Sequence, residues 1–135
     1  MAAPPAQDNC LILLVDDSAT VRLATRAVLE QAGYEVVEAS DGLEGLEVLE
    51  ELERQGRRPA MIISDVNMPR MDGIAFITQV KKTPCKFLPI LVLTTESEPG
   101  LKLRGKRAGA SGWLVKPFQP QTLVAVVKKF TRSLD

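Results

Sequence analysis

Five short apolar segments recur along this chain, and each is followed by a segment with the periodicity of an amphipathic helix. Near-continuous apolar strands are typical of a parallel sheet that is covered on both faces. Strands that alternate with helices favour right-handed crossovers and an α/β architecture. The predicted strands are 11–15, 34–38, 60–64, 88–93 and 112–115, and the predicted helices are 18–32, 42–55, 73–82, 98–108 and 119–132.

Length and composition predict a single domain. The chain has 135 residues, of which 45% are apolar and 25% charged, as is typical of a globular protein. Residues 1–9, rich in Ala and Pro, are expected to form a disordered N-terminal tail ahead of a folded domain over residues 10–135. The 17 basic residues balance the 17 acidic ones, so no net field favours nucleic acid. With neither a secretory signal nor an apolar run of bilayer length, we expect a cytoplasmic protein without membrane insertion.

The cysteine and histidine content narrows the chemistry. Cys10 and Cys85 lie far apart and match no metal-binding spacing, so we expect reduced thiols in a cytosol. The chain contains no histidine. Histidine acid–base catalysis, triads that contain histidine and most zinc sites are therefore excluded.

Polar residues stand where the predicted strands end. Asp16 and Asp17 follow the first strand, Asp65 follows the third, Thr94 closes the fourth, and Lys116 follows the fifth. Ligands of an open α/β sheet bind at the carboxyl ends of its strands. We predict a doubly wound five-stranded parallel sheet in the order 2-1-3-4-5, in which strands one and three are neighbours and the three carboxylates lie close together. Oxygen ligands without nitrogen or sulfur favour Mg²⁺ together with a phosphoryl group.

Each of these residues also has a simpler interpretation. An Asp before a helix is most often an N-cap, and Asp65 could merely open a loop. Lys116 could be a solvated charge, and Thr94 with Thr95 could reflect strand propensity. In the functional interpretation, Lys116 pairs with Asp65 at rest and later with a phosphoryl oxygen, to which Thr94 donates its hydroxyl.

Three nearby residues leave further alternatives open. Asn67 is either a turn former or the donor of a backbone carbonyl to the metal. Trp113, the sole tryptophan, is either a buried core ring or an aromatic with a switching role beside Lys116. Pro117 permits a cis Lys116–Pro117 bond, which the sequence does not decide.

Four segments match a known family as an ordered set: Leu14–Ser18, Ser64–Gly73, Leu93–Glu96 and Gly109–Phe118. Over about residues 10–133, the chain resembles the response-regulator receiver domain, most closely its single-domain chemotaxis (CheY-like) type. The resemblance implies the flavodoxin/CheY-like fold, in agreement with the predicted strand order.

The resemblance also implies a phosphorylation site. Asp65 would be the phosphoacceptor and would take its phosphoryl group from a histidine kinase or phosphotransfer protein. Asp17 would ligate Mg²⁺ directly and Asp16 through water. Asp65 itself and the backbone carbonyl of Asn67 would complete the protein ligands, and Lys116 would contact the phosphoryl group.

A switching mechanism follows from the same resemblance. Thr94 would move to hydrogen-bond the phosphoryl group, and the ring at Trp113 would turn inward, although Tyr or Phe is more usual there. The altered surface would consist of the fourth helix, the fifth strand and the fifth helix. Thr95 belongs to the same switch segment, whereas Asn67 and Glu96 match positions that govern access of the hydrolytic water. Self-dephosphorylation would be slow, so we expect a binding switch and not an enzyme.

The sequence also bears on the downstream partner and on two alternative functions. The fourth helix carries a basic stripe, which is either a solvated face or a surface that selects an acidic partner. We expect no DNA-binding domain after residue 135, and therefore a downstream protein target and no direct contact with nucleic acid. One alternative is a Mg²⁺-dependent phosphohydrolase with an Asp nucleophile, which would favour a second acid where Asn67 stands. Another is a flavodoxin-like cofactor binder, whose phosphate the pair Asp16-Asp17 would repel.

Overall fold

Strands and helices alternate through the two stretches that the computed structural model describes, residues 6–95 and 99–131. The strands are β1 (Ala6–Val15), β2 (Glu35–Ala39), β3 (Arg57–Ser64), β4 (Ile90–Thr94) and β5 (Gly112–Val115). The helices are α1 (Ala19–Gln31), α2 (Gly42–Arg54), α3 (Gly73–Val80), α4 (Pro99–Ala108) and α5 (Pro120–Thr131). All neighbouring strands are parallel, in the order β2-β1-β3-β4-β5. The predicted doubly wound sheet is confirmed.

The sheet separates two apolar cores, because successive side chains of a strand point to opposite faces. In β1, Leu13 and Val15 belong to one core, whereas Ile12 and Leu14 belong to the other. The first core is closed by side chains of α2, α3 and α4, and the second by side chains of α1 and α5. Two-sided burial explains why residues 11–15, 60–63 and 90–93 in the central strands are apolar at consecutive rather than alternate positions.

Helices α1, α2 and α3 are each preceded by a polar cap residue whose side chain accepts a hydrogen bond from the first turn. Ser18 Oγ accepts from Val21 N at 3.2 Å, and Asp41 Oδ1 accepts from Glu44 N at 2.8 Å. Asp72 Oδ1 accepts from Ala75 N at 2.8 Å. Since Ser18 caps α1, the simple interpretation of Asp16 and Asp17 as helix caps does not hold.

The sheet extends further at its amino end than expected. The tail predicted over residues 1–9 is corrected in part, because the backbone of residues 6–9 belongs to β1; residues 1–5 lie outside the described chain. Residues 6–8 pair with 57–59, across a register shift, so β3 also starts earlier than the predicted residue 60. Periodicity missed this ladder because its β3 side carries two arginines and a proline instead of an apolar run.

Helix α4 contains a glycine at a position where packing leaves no room for a side chain. A Cβ on Gly105 would lie 2.6 Å from Cζ3 of Trp113 in β5. The half-buried ring therefore packs directly against the α4 backbone, which explains why a residue that weakens helices stands in the middle of this one. The predicted cap of this helix, Ser97, lies outside the described residues.

Candidate functional site

The carboxyl ends of β1 and β3 bring three carboxylates together. Asp16 and Asp17 directly follow β1, Asp65 directly follows β3, and the two strands are hydrogen-bonded neighbours. One carboxylate oxygen from each of the three residues lies within 4.8 Å of the others. Asp16 is 2% exposed, whereas Asp17 is open to solvent. The predicted cluster of acids therefore exists, and it has one open side through which a ligand can enter.

Lys116 supplies the positive charge of the cluster from the end of β5. Its Nζ lies 3.0 Å from Asp16 Oδ2 and 3.5 Å from Asp65 Oδ2, so the ammonium bridges two of the three acids. The prediction that Lys116 pairs with Asp65 at rest is therefore incomplete, because the shorter contact is to Asp16. The Lys116–Pro117 peptide bond, which the sequence left undecided, is cis.

Burial dominates the electrostatics of Asp65. It raises the pKa of this carboxyl, and the negative charge of Asp16 raises it further, while Lys116 and a hydrogen bond from Val66 N act in the opposite direction. The Val66 N–H donates to Asp65 Oδ1 at 2.7 Å, which fixes the orientation of the carboxylate. Among the residues that the structure describes, three acids face the ammonium of Lys116, so a bound divalent cation would relieve an excess of negative charge.

The oxygen donors and the spacing of the acids fit a hard divalent cation. Carboxylate oxygens suit Mg²⁺, which keeps several waters and binds proteins through a few oxygen ligands. Asp17 is exposed at the mouth, Asp16 is buried, and Asp65 lies between these extremes with 14% of its side chain exposed. This gradient would leave room for water on the open side of a metal ion.

Arg22, which the sequence analysis did not single out, stabilises the carboxyl end of β1 through a hydrogen bond and a salt bridge. The guanidinium of Arg22 in α1 donates to the backbone carbonyl of Asp16, and its Nε lies 3.0 Å from Glu38 Oε1 on β2. Asp16 Oδ1 in turn accepts from Ser18 N at 2.9 Å. An arginine one turn into a helix gives no sequence signal of this kind, because it is typical of a solvated helix face.

The other predicted site residues lie at different depths around the cluster. Thr94 at the end of β4 is fully buried, and its carbonyl accepts from Lys116 N at 2.8 Å, which ties the two strand ends together. Thr95 is exposed, and Glu96 lies outside the described residues. Asn67 is exposed in the loop after Asp65. Trp113 is not part of the acid cluster in this conformation, since its ring packs on α4 and joins the first core.

This arrangement agrees with what the chain resembles among known proteins. Residues 12–128 match the response regulator receiver domain. The chain belongs to this family. Receiver domains act in two-component signalling and interact with histidine kinases or phosphotransfer proteins, and the matched relatives are response regulators or receiver-containing proteins, not enzymes of the phosphohydrolase class.

Three comparisons illustrate the match. The chain is 37% identical over 127 residues to the alkaline phosphatase synthesis transcriptional regulatory protein PhoP of Bacillus subtilis, covering 94% of this chain and 50% of that protein. It is 35% identical over 120 residues to the sensor histidine kinase CheAY of Helicobacter pylori, covering 88% of this chain and 15% of that protein. The chemotaxis protein CheY4 of Vibrio cholerae superposes with a TM-score of 0.81 at 45% identity, over 90% of this chain and 98% of that one.

The share of each relative's length that this chain matches differs widely among the relatives. The chain spans about half the length of most curated relatives and a smaller share of the histidine kinase. The chemotaxis protein, by contrast, is matched over nearly its full length, which confirms the CheY-like identification and fold. Among the helices of residues 6–95 and 99–131, none is long and apolar enough to cross a membrane.

Removing the Asp65 charge is expected to stabilise the metal-free receiver domain at neutral pH. Because folding raises the pKa of Asp65, the folded state holds this proton more tightly than the unfolded chain. The stabilisation from this proton is complete below the ordinary pKa of aspartic acid and is lost as pH rises through the raised pKa. Asp65→Asn should therefore gain on the order of 1 kcal/mol in free energy of unfolding at neutral pH, and less in acid.

Urea unfolding across a pH series without divalent metal measures this difference. Asp72→Asn is the matched control, because it lies in the same loop, is exposed, and leaves a residue that can still cap α3. This variant should stay within about 0.5 kcal/mol of the parent protein at each pH. A parent protein more stable than Asp65→Asn at neutral pH would contradict the conclusion that burial and Asp16 disfavour the charged form of Asp65.

Proposed function

We propose that this receiver domain is a phosphorylation-controlled binding switch in which Asp65 accepts a phosphoryl group from a phosphohistidine of a histidine kinase or phosphotransfer protein. The observation that carries the proposal is the position of Asp65 within 4.8 Å of Asp16 and Asp17, with Lys116 Nζ at 3.5 Å from its Oδ2. A carboxylate is an effective covalent nucleophile when it is positioned and its attack on phosphorus is in line.

Phosphoryl transfer places few covalent demands on a protein and large electrostatic ones. A P–O bond to Asp65 forms as the P–N bond to the donor imidazole breaks. Mg²⁺, when bound, would neutralise charge on the transferring phosphoryl oxygens. Asp17, Asp16 by way of water, Asp65 and the backbone carbonyl of Asn67 would hold the ion. The ammonium of Lys116 would leave its resting carboxylate partners and contact a phosphoryl oxygen.

The phosphoryl group would then act on the switch residues. Thr94 is buried at the end of β4, beside the carboxyl ends of β3 and β5, and its hydroxyl would move to donate to a phosphoryl oxygen. Such a contact exists in only one of the two states and shifts their populations. Trp113 would respond by leaving its position against Gly105, and Thr95 would move with Thr94. Asn67 and Glu96 would set how slowly water removes the phosphoryl group.

The changed surface would be formed by α4, β5 and α5 and would bind a downstream protein. Four exposed basic residues on α4 give this surface a positive stripe: Lys102, Arg104, Lys106 and Arg107. Charge complementarity between surfaces speeds association and selects partners, so the proposed target is an acidic protein.

Phosphorylation by a small donor tests the central step. The protein is incubated with Mg²⁺ and acetyl phosphate, and its intact mass is measured. We expect one added phosphoryl group that is base-labile and absent from Asp65→Asn. Asp72→Asn, which removes an exposed acid from the same loop, should accept the group like the parent protein. Modification that persists in Asp65→Asn, or release of phosphate from phosphomonoesters over many turnovers, would refute the switch.

The fluorescence of Trp113 tests the conformational step, because it is the sole tryptophan. Saturation with beryllofluoride and Mg²⁺ should change its emission, since the ring would exchange its packing against α4 for a new environment. Thr94→Val keeps the shape of Thr94 and removes its hydroxyl, and should abolish most of the change while leaving acetyl phosphate labelling intact. A flat signal in a protein that demonstrably binds beryllofluoride would eliminate the aromatic switch.

A further inference from the structure

A bidentate ion pair joins the loop after Asp65 to the start of α2. Arg70 Nε lies 2.7 Å from Asp41 Oδ2, and a second nitrogen of the same guanidinium lies 3.0 Å from Asp41 Oδ1. The Asp41 side chain is 5% exposed and that of Arg70 is 54% exposed. The hydrogen bond from Arg70 is the main reason that the pKa of Asp41 is held below its ordinary range. Two parallel bonds of this kind fix direction as well as distance.

Arg70 makes this pair from a backbone conformation that disfavours it. Its φ is 62°, in the left-handed region that glycine and asparagine adopt far more readily than arginine. A long side chain in such a position persists when the surroundings hold it there. The ion pair with Asp41, which glycine could not make, therefore accounts for an arginine at this position.

Asp41 does not need Arg70 in order to cap its helix. Its Oδ1 already accepts from Glu44 N, and Glu44 Oε1 accepts from Ser40 N at 2.6 Å, so the first turn of α2 is hydrogen-bonded to the cap residue and to the residue before it. Since Asp41 caps α2 without Arg70, the bond to Arg70 acts mainly on the loop that carries Arg70.

The loop is held at both of its ends. At its base, Gly73 N donates to Val66 O at 2.8 Å, and a Cβ on Gly73 would lie 2.2 Å from the Asp65 carbonyl oxygen. At its far end, Met71 O accepts from Gly42 N at 3.2 Å, directly beside the Arg70–Asp41 pair. Asn67 lies between these two attachments, so its backbone position depends on both.

We propose that Arg70 is a positioning residue for the phosphoacceptor site, because by holding Asp41 it fixes the loop 67–72 and the backbone carbonyl of Asn67. This inference rests on the proposed function. Groups that orient metal ligands without touching the metal commonly change metal affinity by about 10- to 100-fold when removed. Arg70 would contribute in this way from the second attachment of the loop, without contact with the phosphoryl group.

Mg²⁺ binding measured by calorimetry, without any phosphodonor, tests the proposal. Arg70→Gly accepts the backbone conformation but lacks the ion pair, and should raise the Mg²⁺ dissociation constant about tenfold or more. Arg70→Lys keeps the charge without the bidentate geometry, and should recover only part of the affinity. Arg54→Gln is the matched control, since Arg54 pairs with Glu50 and Glu51 on the exposed face of α2, and should leave the dissociation constant unchanged.

Asp41→Asn tests the same ion pair from its other side, because asparagine still caps α2 but presents no charge to Arg70. It should weaken Mg²⁺ binding as Arg70→Gly does, and the double variant should be no weaker than either single one, since both changes break one interaction. If Arg70→Gly does not fold, Asp41→Asn and Arg70→Lys decide the question.

The outcomes separate this inference from the proposed function. If the parent protein neither binds Mg²⁺ nor becomes labelled on Asp65 by acetyl phosphate, the proposed function is wrong. If the parent protein does both, and folded Arg70→Gly or Asp41→Asn binds Mg²⁺ with unchanged affinity, the positioning role alone is wrong. In that case, the pair only attaches α2 to the loop, and the variants should lose thermal stability but no metal affinity.

Discussion

The contact of Lys116 with Asp16 and Asp65 is the interaction on which the site depends. Three carboxylates within 4.8 Å repel one another, and the repulsion is strong because Asp16 is buried and Asp65 is mostly so. The parallel sheet enforces this proximity, since Asp16 and Asp65 each follow directly on strands that are paired in register. One ammonium at 3.0 and 3.5 Å offsets part of the charge and leaves an excess that a divalent cation would neutralise.

Much of the fold and of the acid cluster could be predicted, because the residues that determine them are close together in the sequence. Apolar runs locate the strands, the strand order makes β1 and β3 neighbours, and any residue that directly follows a strand must lie at the carboxyl edge. The structure therefore brings Asp16, Asp65 and Lys116 together at the edge of the sheet where the sequence predicted them. The early start of β1 at Ala6 could not be predicted in this way, because its partner residues 57–59 carry no apolar pattern.

The interactions that escaped prediction connect residues distant in sequence through long polar side chains. Arg22 reaches the carbonyl of Asp16 from α1, and Arg70 reaches Asp41 across 29 positions of the chain. A charged side chain has many possible partners, and only the folded backbone selects one. Gly105 is a related case, because the low helix propensity of glycine argues against a helix at this position. Only the packing of α4 beside β5 explains the glycine, since the ring of Trp113 leaves no room there for a side chain.

The thermal stability of the protein with and without Mg²⁺ tests most directly whether the three carboxylates form one cation site. A ligand that binds only the folded state at 100 times its dissociation constant stabilises that state by about 2.7 kcal/mol. The melting temperature of the parent protein and of Asp72→Asn should rise with Mg²⁺. That of Asp17→Asn, which changes only an exposed acid of the cluster, should rise far less. An unchanged melting temperature of the parent protein at saturating Mg²⁺ would contradict the account.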